Sequence, residues 1–430
     1  MSTVSDVTCL GCGCLCDDLV ITVSAGRILK TENACEIGQR WFLADDPTRE
    51  GVPPAAIDGQ PAPLEDALGR AAEILRQSQA PLILGLGKLS NEDVASALAL
   101  ADQIGATVDS TWSPGPEQVL RAIQRVGRVS ATLGEVKHRA DVVVFCGVDP
   151  VVTHPRHWER YSVAPRGRFV PNGRTDRHVL VIDTQRTATA EQADEFLEVP
   201  PDAWFETLWV LRGLVRGIPL DPKTVEARTS IDLNRLRDLA ERLKQARYGA
   251  WFFDRRLAET GGGTAGVEAA LALVRDLNDS TRFVILELGS AGNAAGASAV
   301  QAWQTGFALN VSLAQGFPQS IPAATSADAL LARGGADAVL VVGENPPEDA
   351  LSRWLASGSR PIPSIVIAPK APVTALAATV ALDSATPGIE SGGTVTRSDG
   401  ISLPLRPPLD RIRPSARKLL EDLGQHIRTS

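Results

Sequence analysis

Five of the six cysteines stand close together near the start of the chain, at Cys9, Cys12, Cys14, Cys16 and Cys35. Four of them read as C-x2-C-x3-C-x18-C, and Asp17-Asp18 follows the first group directly. Thiols at this density serve a metal, an iron–sulfur cluster or a disulfide framework. Three ligands close in sequence and a fourth farther on is the layout of a 4Fe–4S site, and Cys9, Cys12, Cys16 and Cys35 fit it. Zinc ribbons pair two C-x2-C knuckles, and Cys35 has no such neighbour, so zinc is the weaker alternative. An empty, vestigial site is the third. Cys14 is supernumerary, either an alternate ligand or a bystander.

The elements that position these thiols are short strands. Residues 17–31 alternate in part and turn at Ser24-Ala25-Gly26, which predicts a hairpin folding Cys35 back onto the Cys9–Cys16 loop. Residues 1–50 are therefore expected as a small antiparallel, Fe–S-type unit. Beyond it the pattern changes to helix and buried strand in alternation. Helices are expected at 64–79, 92–104 (capped by Asn91), 117–126, 202–216, 232–245 and 265–277. Buried strands are expected near 81–87, 140–147, 178–183, 248–253, 282–288, 336–346 and 364–369. The strand near 106–110 runs into a loop stiffened by Pro114 and Pro116. Residues 154–161 are expected as a loop, and residues 384–404 as irregular structure.

Ala140-Asp141-x-Val143-x-x-x-Gly147-x-x-Pro150 recurs as Ala336-Asp337-x-Val339-x-x-x-Gly343-x-x-Pro346. The repeat points to two Rossmann-like parallel-sheet lobes, with a cleft at their carboxyl strand ends. The expected partition is a cysteine-rich unit at 1–50, lobe one at 51–105 and 298–430 with a C-terminal extension, and lobe two at 106–297. A net charge of −8 and a pI near 5.3 argue against nucleic acid or an anionic membrane as partner. No basic n-region with an apolar stretch opens the chain, and no apolar run is long enough to span a bilayer. A cytoplasmic protein is expected, where clustered thiols favour metal or redox chemistry over disulfides.

Several blocks resemble one family. They are the cysteine loop with Asn33-Ala34-Cys35-x-Ile37-Gly38, then Thr132-Leu133-Gly134-Glu135-Val136-Lys137-x-Arg139-Ala140-Asp141, and His154-Pro155-Arg156-His157-x-x-Arg160-Tyr161. Two more are Gly292-Asn293-x-x-Gly296-Ala297 and Gly388-Ile389-Glu390-x-x-Gly393-Thr394-x-x-Arg397-x-Asp399-Gly400. Together they resemble the B subunits of formylmethanofuran dehydrogenases, within the molybdopterin oxidoreductases, over essentially the whole chain. The resemblance implies an Fe–S unit and two α/β lobes, here without the C-terminal β-barrel domain of larger relatives, which in this family is a separate polypeptide.

The family holds molybdenum or tungsten through a Cys followed by His-Gly-Pro. Here the matching run is Ser113-Pro114-Gly115-Pro116, so the ligand position carries Ser113 and the His position Pro114. The resemblance then implies a degenerate metal site with no Mo/W pterin, as in the bacterial formyltransferase/hydrolase complex. Its expected partners are the amidohydrolase-like A, the glutamate-synthase-like C and the formyltransferase D subunits. A non-catalytic scaffold subunit is the first expectation. An active W/Mo dehydrogenase subunit using Ser113, or a stand-alone Fe–S electron carrier, are the alternatives. His154 and His157 read either as a phosphate-facing remnant or as a hydrogen-bonded contact loop, and Cys146 reads as a core residue. The glycine loops at 261–263 and 289–296 are compact enough for anion contact.

Overall fold

The computed structural model describes residues 1–43, 51–110, 114–260, 262–289, 292–344, 362–410 and 412–429. Its strands, in chain order, begin with β1 (Ser2–Val7), β2 (Leu19–Ser24), β3 (Arg27–Glu32), β4 (Ala55–Ile57), β5 (Gln60–Ala62), β6 (Pro81–Gly85) and β7 (Thr107–Asp109). They continue with β8 (Val142–Cys146), β9 (His178–Asp183), β10 (Glu195–Glu198), β11 (Gly249–Phe253) and β12 (Phe283–Glu287). The last six are β13 (Val311–Ser312), β14 (Ala338–Val342), β15 (Ser364–Ala368), β16 (Val380–Asp383), β17 (Gly393–Thr396) and β18 (Ser402–Leu405). The chain divides into two compact units, residues 1–112 with 290–430, and residues 113–289.

In the first unit, β1, β2 and β3 form an antiparallel sheet at the N-terminus. The main sheet has the order β13-β7-β6-β14-β15-β16-β4-β5, parallel from β7 to β16 and antiparallel at both edges. Strands β6, β14 and β15 read PLILG, AVLVV and SIVIA and are buried throughout, as a sheet covered on both faces requires. Thr107–Asp109, expected at the head of lobe two, pairs here with β6. The helix Ala294–Thr305 belongs here too and packs on Asn91–Ile104. The second unit is a wholly parallel sheet, β10-β9-β8-β11-β12.

The repeated Ala-Asp motif does the same job twice. Asp141 precedes β8 and accepts from the amides of Arg247 and Tyr248, at the entry of neighbouring β11. Asp337 precedes β14 and accepts from the amides of Gln79 and Ala80, at the entry of neighbouring β6. Each carboxylate thus fixes where the next strand joins the sheet, which gives the sequence match an architectural basis.

Three local expectations are revised. Ser90, not Asn91, caps the helix Asn91–Ile104, in a capping box with Asp93. Residues 150–162 are short helical turns rather than a loop, two of them opened by proline. Residues 384–404 are not irregular throughout, since β17 and β18 pair as an antiparallel hairpin. Among the described residues no helix is long and apolar enough to cross a membrane.

Candidate functional site

The cysteine loop joins β1 to β2. A register shift between Val4 and Val7 and a left-handed Asp6 (φ 54°) turn the chain out of β1. The amide of Cys9 then donates to the carbonyl of Cys16 at 2.9 Å, closing the loop at its neck. Inside it the amide of Leu15 donates to the carbonyl of Cys12 at 3.2 Å. Leu10 and Leu15 point down into a small apolar cluster with Val395, Leu403 and Leu405 of the β17–β18 hairpin. Thr8 Oγ1 ties the same hairpin by donating to the Pro404 carbonyl. The loop therefore rests on the segment expected to be irregular.

The β2–β3 hairpin brings Cys35 back to this loop, as its turn residues predicted. Ala25 and Gly26 take the left-handed conformation at its tip. At its end Asn33 is left-handed as well, and its side-chain amide donates to the Asp18 carbonyl at 3.0 Å. Cys35 then leads into the helix Glu36–Leu43, whose Gly38 lies against the Cys9 sulfur, so that an added Cβ would stand 3.3 Å from it.

Cys9, Cys12, Cys14 and Cys16 are buried and Cys35 is half-buried. Burial pushes the Cys9 thiol far up, and Cys12, Cys16 and Cys35 each lie close enough to raise it further. Burial also raises Cys35, which again feels Cys12 and Cys16, while the amides of Gly38 and Ile37 oppose the shift. Cys9, Cys12, Cys16 and Cys35 thus lie near enough to feel one another's charge. Cys14 lies within hydrogen-bond reach of both Cys12 and Cys16. Those contacts and full burial keep its proton on, and the Cys14 thiol in turn lowers Cys12.

The cysteine group is approached by backbone amides. The amide of Gly11 donates to Cys9 Sγ at 3.3 Å. Among the described residues no three or more His, Cys, Asp or Glu side chains stand as one ion's ligands.

Ser113 lies outside the described residues. Pro114 is the first residue of the helix Pro114–Val126, three residues before the expected start, where the missing amide proton of proline costs nothing. Cys146 ends β8 with no exposed surface, and its thiol is pushed well up by burial and by Asp183. His154 is buried, with Nε2 3.1 Å from the Gly289 carbonyl and Nδ1 2.9 Å from Thr153 Oγ1. Burial holds it down at about 4, in the neutral form. His157 is buried with its edge against Phe252, and its Nδ1 lies 3.0 Å from Ser162 Oγ. Both histidines are core residues of the second unit rather than a phosphate-facing pair.

Of the glycine loops, Gly261, Ser290 and Ala291 lie outside the described residues. Asn293 serves a structural purpose that its sequence motif did not reveal. Its side chain donates to the Leu89 carbonyl and to Asn91 Oδ1, and accepts from the amide of Thr396. Asn91 in turn donates to Thr394 and Thr396. This buried amide knot joins the turn after β6 to the β17–β18 hairpin under the cysteine loop. The only sequence signal for it was the Asn and Thr content of the two motifs, because its partners lie hundreds of residues apart.

No family model matches the chain. The B subunit of the tungsten-containing formylmethanofuran dehydrogenase 2 of Methanocaldococcus jannaschii is 33% identical over 419 residues, covering 95% of this chain and 94% of that protein. The B subunit of the formyltransferase/hydrolase complex of Methylorubrum extorquens is 28% identical over 313 residues, covering 72% of this chain and 76% of its own length. Among solved structures, a chain of that same complex, crystallised with methylofuran, superposes with a TM-score of 0.71 at 26% identity. It covers 87% of this chain and 98% of its own. Acetylene hydratase from Pelobacter acetylenicus shares the fold, with a TM-score of 0.67 at 12% identity over 99% of this chain and 69% of that one. With a third of its residues shared with the methanogen protein along nearly its whole length, the chain belongs to the family of formylmethanofuran dehydrogenase B subunits.

Proposed function

We propose that the chain is a B subunit without a redox centre of its own, in a complex that carries out formyl transfer and hydrolysis. In this reading the formyl group passes from formyl-tetrahydromethanopterin to a methanofuran-type amine and is hydrolysed to formate. Transfer and hydrolysis fall to the D and A partners, the C partner completes the complex, and this chain is a scaffold working in the cytoplasm. The observation that carries this reading is the cysteine inventory. Beyond Cys35 the sequence holds one cysteine, Cys146, and it is sealed inside a parallel sheet. No thiolate is left for the position that Ser113 occupies.

The N-terminal loop would hold a 4Fe–4S cluster through Cys9, Cys12, Cys16 and Cys35. Such a cluster, when bound, accepts and releases single electrons. The chain itself supplies the amides of Gly11, Ile37 and Gly38 as donors to the sulfurs, and Leu10 and Leu15 exclude water beneath the loop. With no redox partner in the chain, such a cluster would serve to hold the loop that packs on the β17–β18 hairpin.

Metal analysis of the anaerobically purified complex tests the reading. Iron and sulfide without stoichiometric tungsten, molybdenum or pterin is the expected result, together with formyl transfer and no viologen-linked oxidation of formylmethanofuran. Stoichiometric tungsten with pterin would establish the second reading, an active dehydrogenase subunit with Ser113 as oxygen ligand. That reading is favoured by one observation, that identity to the tungsten-containing relative is 33% and to the formyltransferase/hydrolase relative 28%.

A further inference from the structure

Residues 288–327 contain no Asp, Glu, Lys, Arg or His, in a chain whose residues are 22% charged. A run of this length is what a buried segment would show, but much of this one lies on the surface. Trp303 is 69% exposed, Phe307 39%, Phe317 52% and Ile321 59%. The helix Ala294–Thr305 buries Gly296, Ala297, Val300 and Gln301, which leaves Trp303 on the outside. Gly306 then ends the helix in a left-handed turn, and Phe307 follows directly.

Two fold-backs shape the rest of the run. Ser312 and Gln319 exchange backbone hydrogen bonds of 2.8 and 2.9 Å, which closes a turn carrying Phe317. Ser320 Oγ donates to the Leu309 carbonyl and Thr325 Oγ1 to the Asn310 carbonyl, which sets Ile321 beside the strand that follows Phe307. These exposed apolar side chains therefore stand on one charge-free surface stretch whose turns are fixed by its own backbone.

We infer that this surface is the seat of a partner in the complex, one that presents an apolar face poor in charge. The inference rests on the reading of the chain as one member of a hetero-oligomer. Aromatic enrichment with charge depletion is the composition of an interface core, and tryptophan is its commonest anchor. Monomers rarely expose such patches. The absence of charge also fixes the chemistry of the partner. A charged residue set against Trp303 and Phe317 would lose its water and find no counter-ion, which disfavours a charged face there.

The test co-expresses the full chain with the other subunits and purifies the complex on a tag carried by one of them. Trp303→Asp combined with Ile321→Asp changes only exposed side chains, so the isolated chain melts within about 2 °C of wild type. Its share in the purified complex falls about tenfold or more, while Arg237→Asp on a charged exposed face leaves that share unchanged. A double variant that assembles at the wild-type ratio overturns the surface and leaves the functional reading standing. Loss of self-association with the hetero-complex intact overturns it in favour of a second copy of this chain. A wild-type chain that never joins the complex overturns both.

Discussion

The amide of Cys9 donates to the carbonyl of Cys16 at 2.9 Å, so the two outer cysteines of the loop are clamped to each other through backbone. The neck is fixed whatever the sulfurs hold, and the four thiols of Cys9, Cys12, Cys16 and Cys35 gather around it. Cys16→Ala should abolish iron and sulfide binding in anaerobically purified protein, read by metal analysis and visible absorption. Cys14→Ala should keep both, because Cys14 supports its neighbours through its proton. Iron retained in Cys16→Ala and lost in Cys14→Ala would make Cys14 the ligand.

Arg397 meets Asp399 through two parallel contacts of 2.8 Å, with 9% of the arginine side chain exposed and none of the carboxylate. Arg397→Met removes both of these charge-assisted contacts. A loss of about 1.5–3 kcal/mol in denaturant unfolding is expected. Arg397→Met with Asp399→Leu should recover most of it, since a well-packed apolar pair avoids both desolvation penalties.

His154 gives the second unit a sensitivity to acid. Its folded value near 4 lies below the ordinary 6.5, because burial opposes the charged form. The unfolded chain therefore binds the extra proton first as pH falls. Stability is unaffected above about pH 7, declines from about pH 6.5 and levels off below about pH 4, for a total of about 3 kcal/mol. His154→Gln should flatten that part of the stability-against-pH curve. An unchanged curve would show that another group causes the decline.

Gly296 faces the side-chain oxygens of Asn293 and Asn91, and an added Cβ would overlap both. Gly296→Ala should push these amides apart, at about 1–3 kcal/mol. Faster amide exchange should appear in β17 and β18, which the knot anchors through Thr394 and Thr396. Faster exchange confined to the helix Ala294–Thr305 would count against the link to the hairpin.

The sequence by itself determined the features whose cause is local. The spacing of Cys9, Cys12 and Cys16 set three thiols on one loop, and Ser24-Ala25-Gly26 set the turn that returns Cys35 to it. Buried runs such as Val142–Cys146 and Ala338–Val342 announced a parallel sheet, because only strands covered on both faces are apolar at every position. The paired Asp141 and Asp337 announced that this unit occurs twice.

What only the tertiary structure decided are the choices between equally good local partners. Ser90 and Asn91 are both fit to cap a helix, and Asn91 is drawn away by Asn293 and two threonines some two to three hundred residues distant. The hairpin of β17 and β18 has little strand signal of its own and is held by distant partners, Leu10 and Leu15 on one side and the Asn91–Asn293 knot through its threonines. The charge-free run from 288 to 327 is plain in the sequence, but a run without charge is equally suited to a core and to an interface. Only the path of the chain, which turns Trp303 and Phe317 outward, tells the two apart.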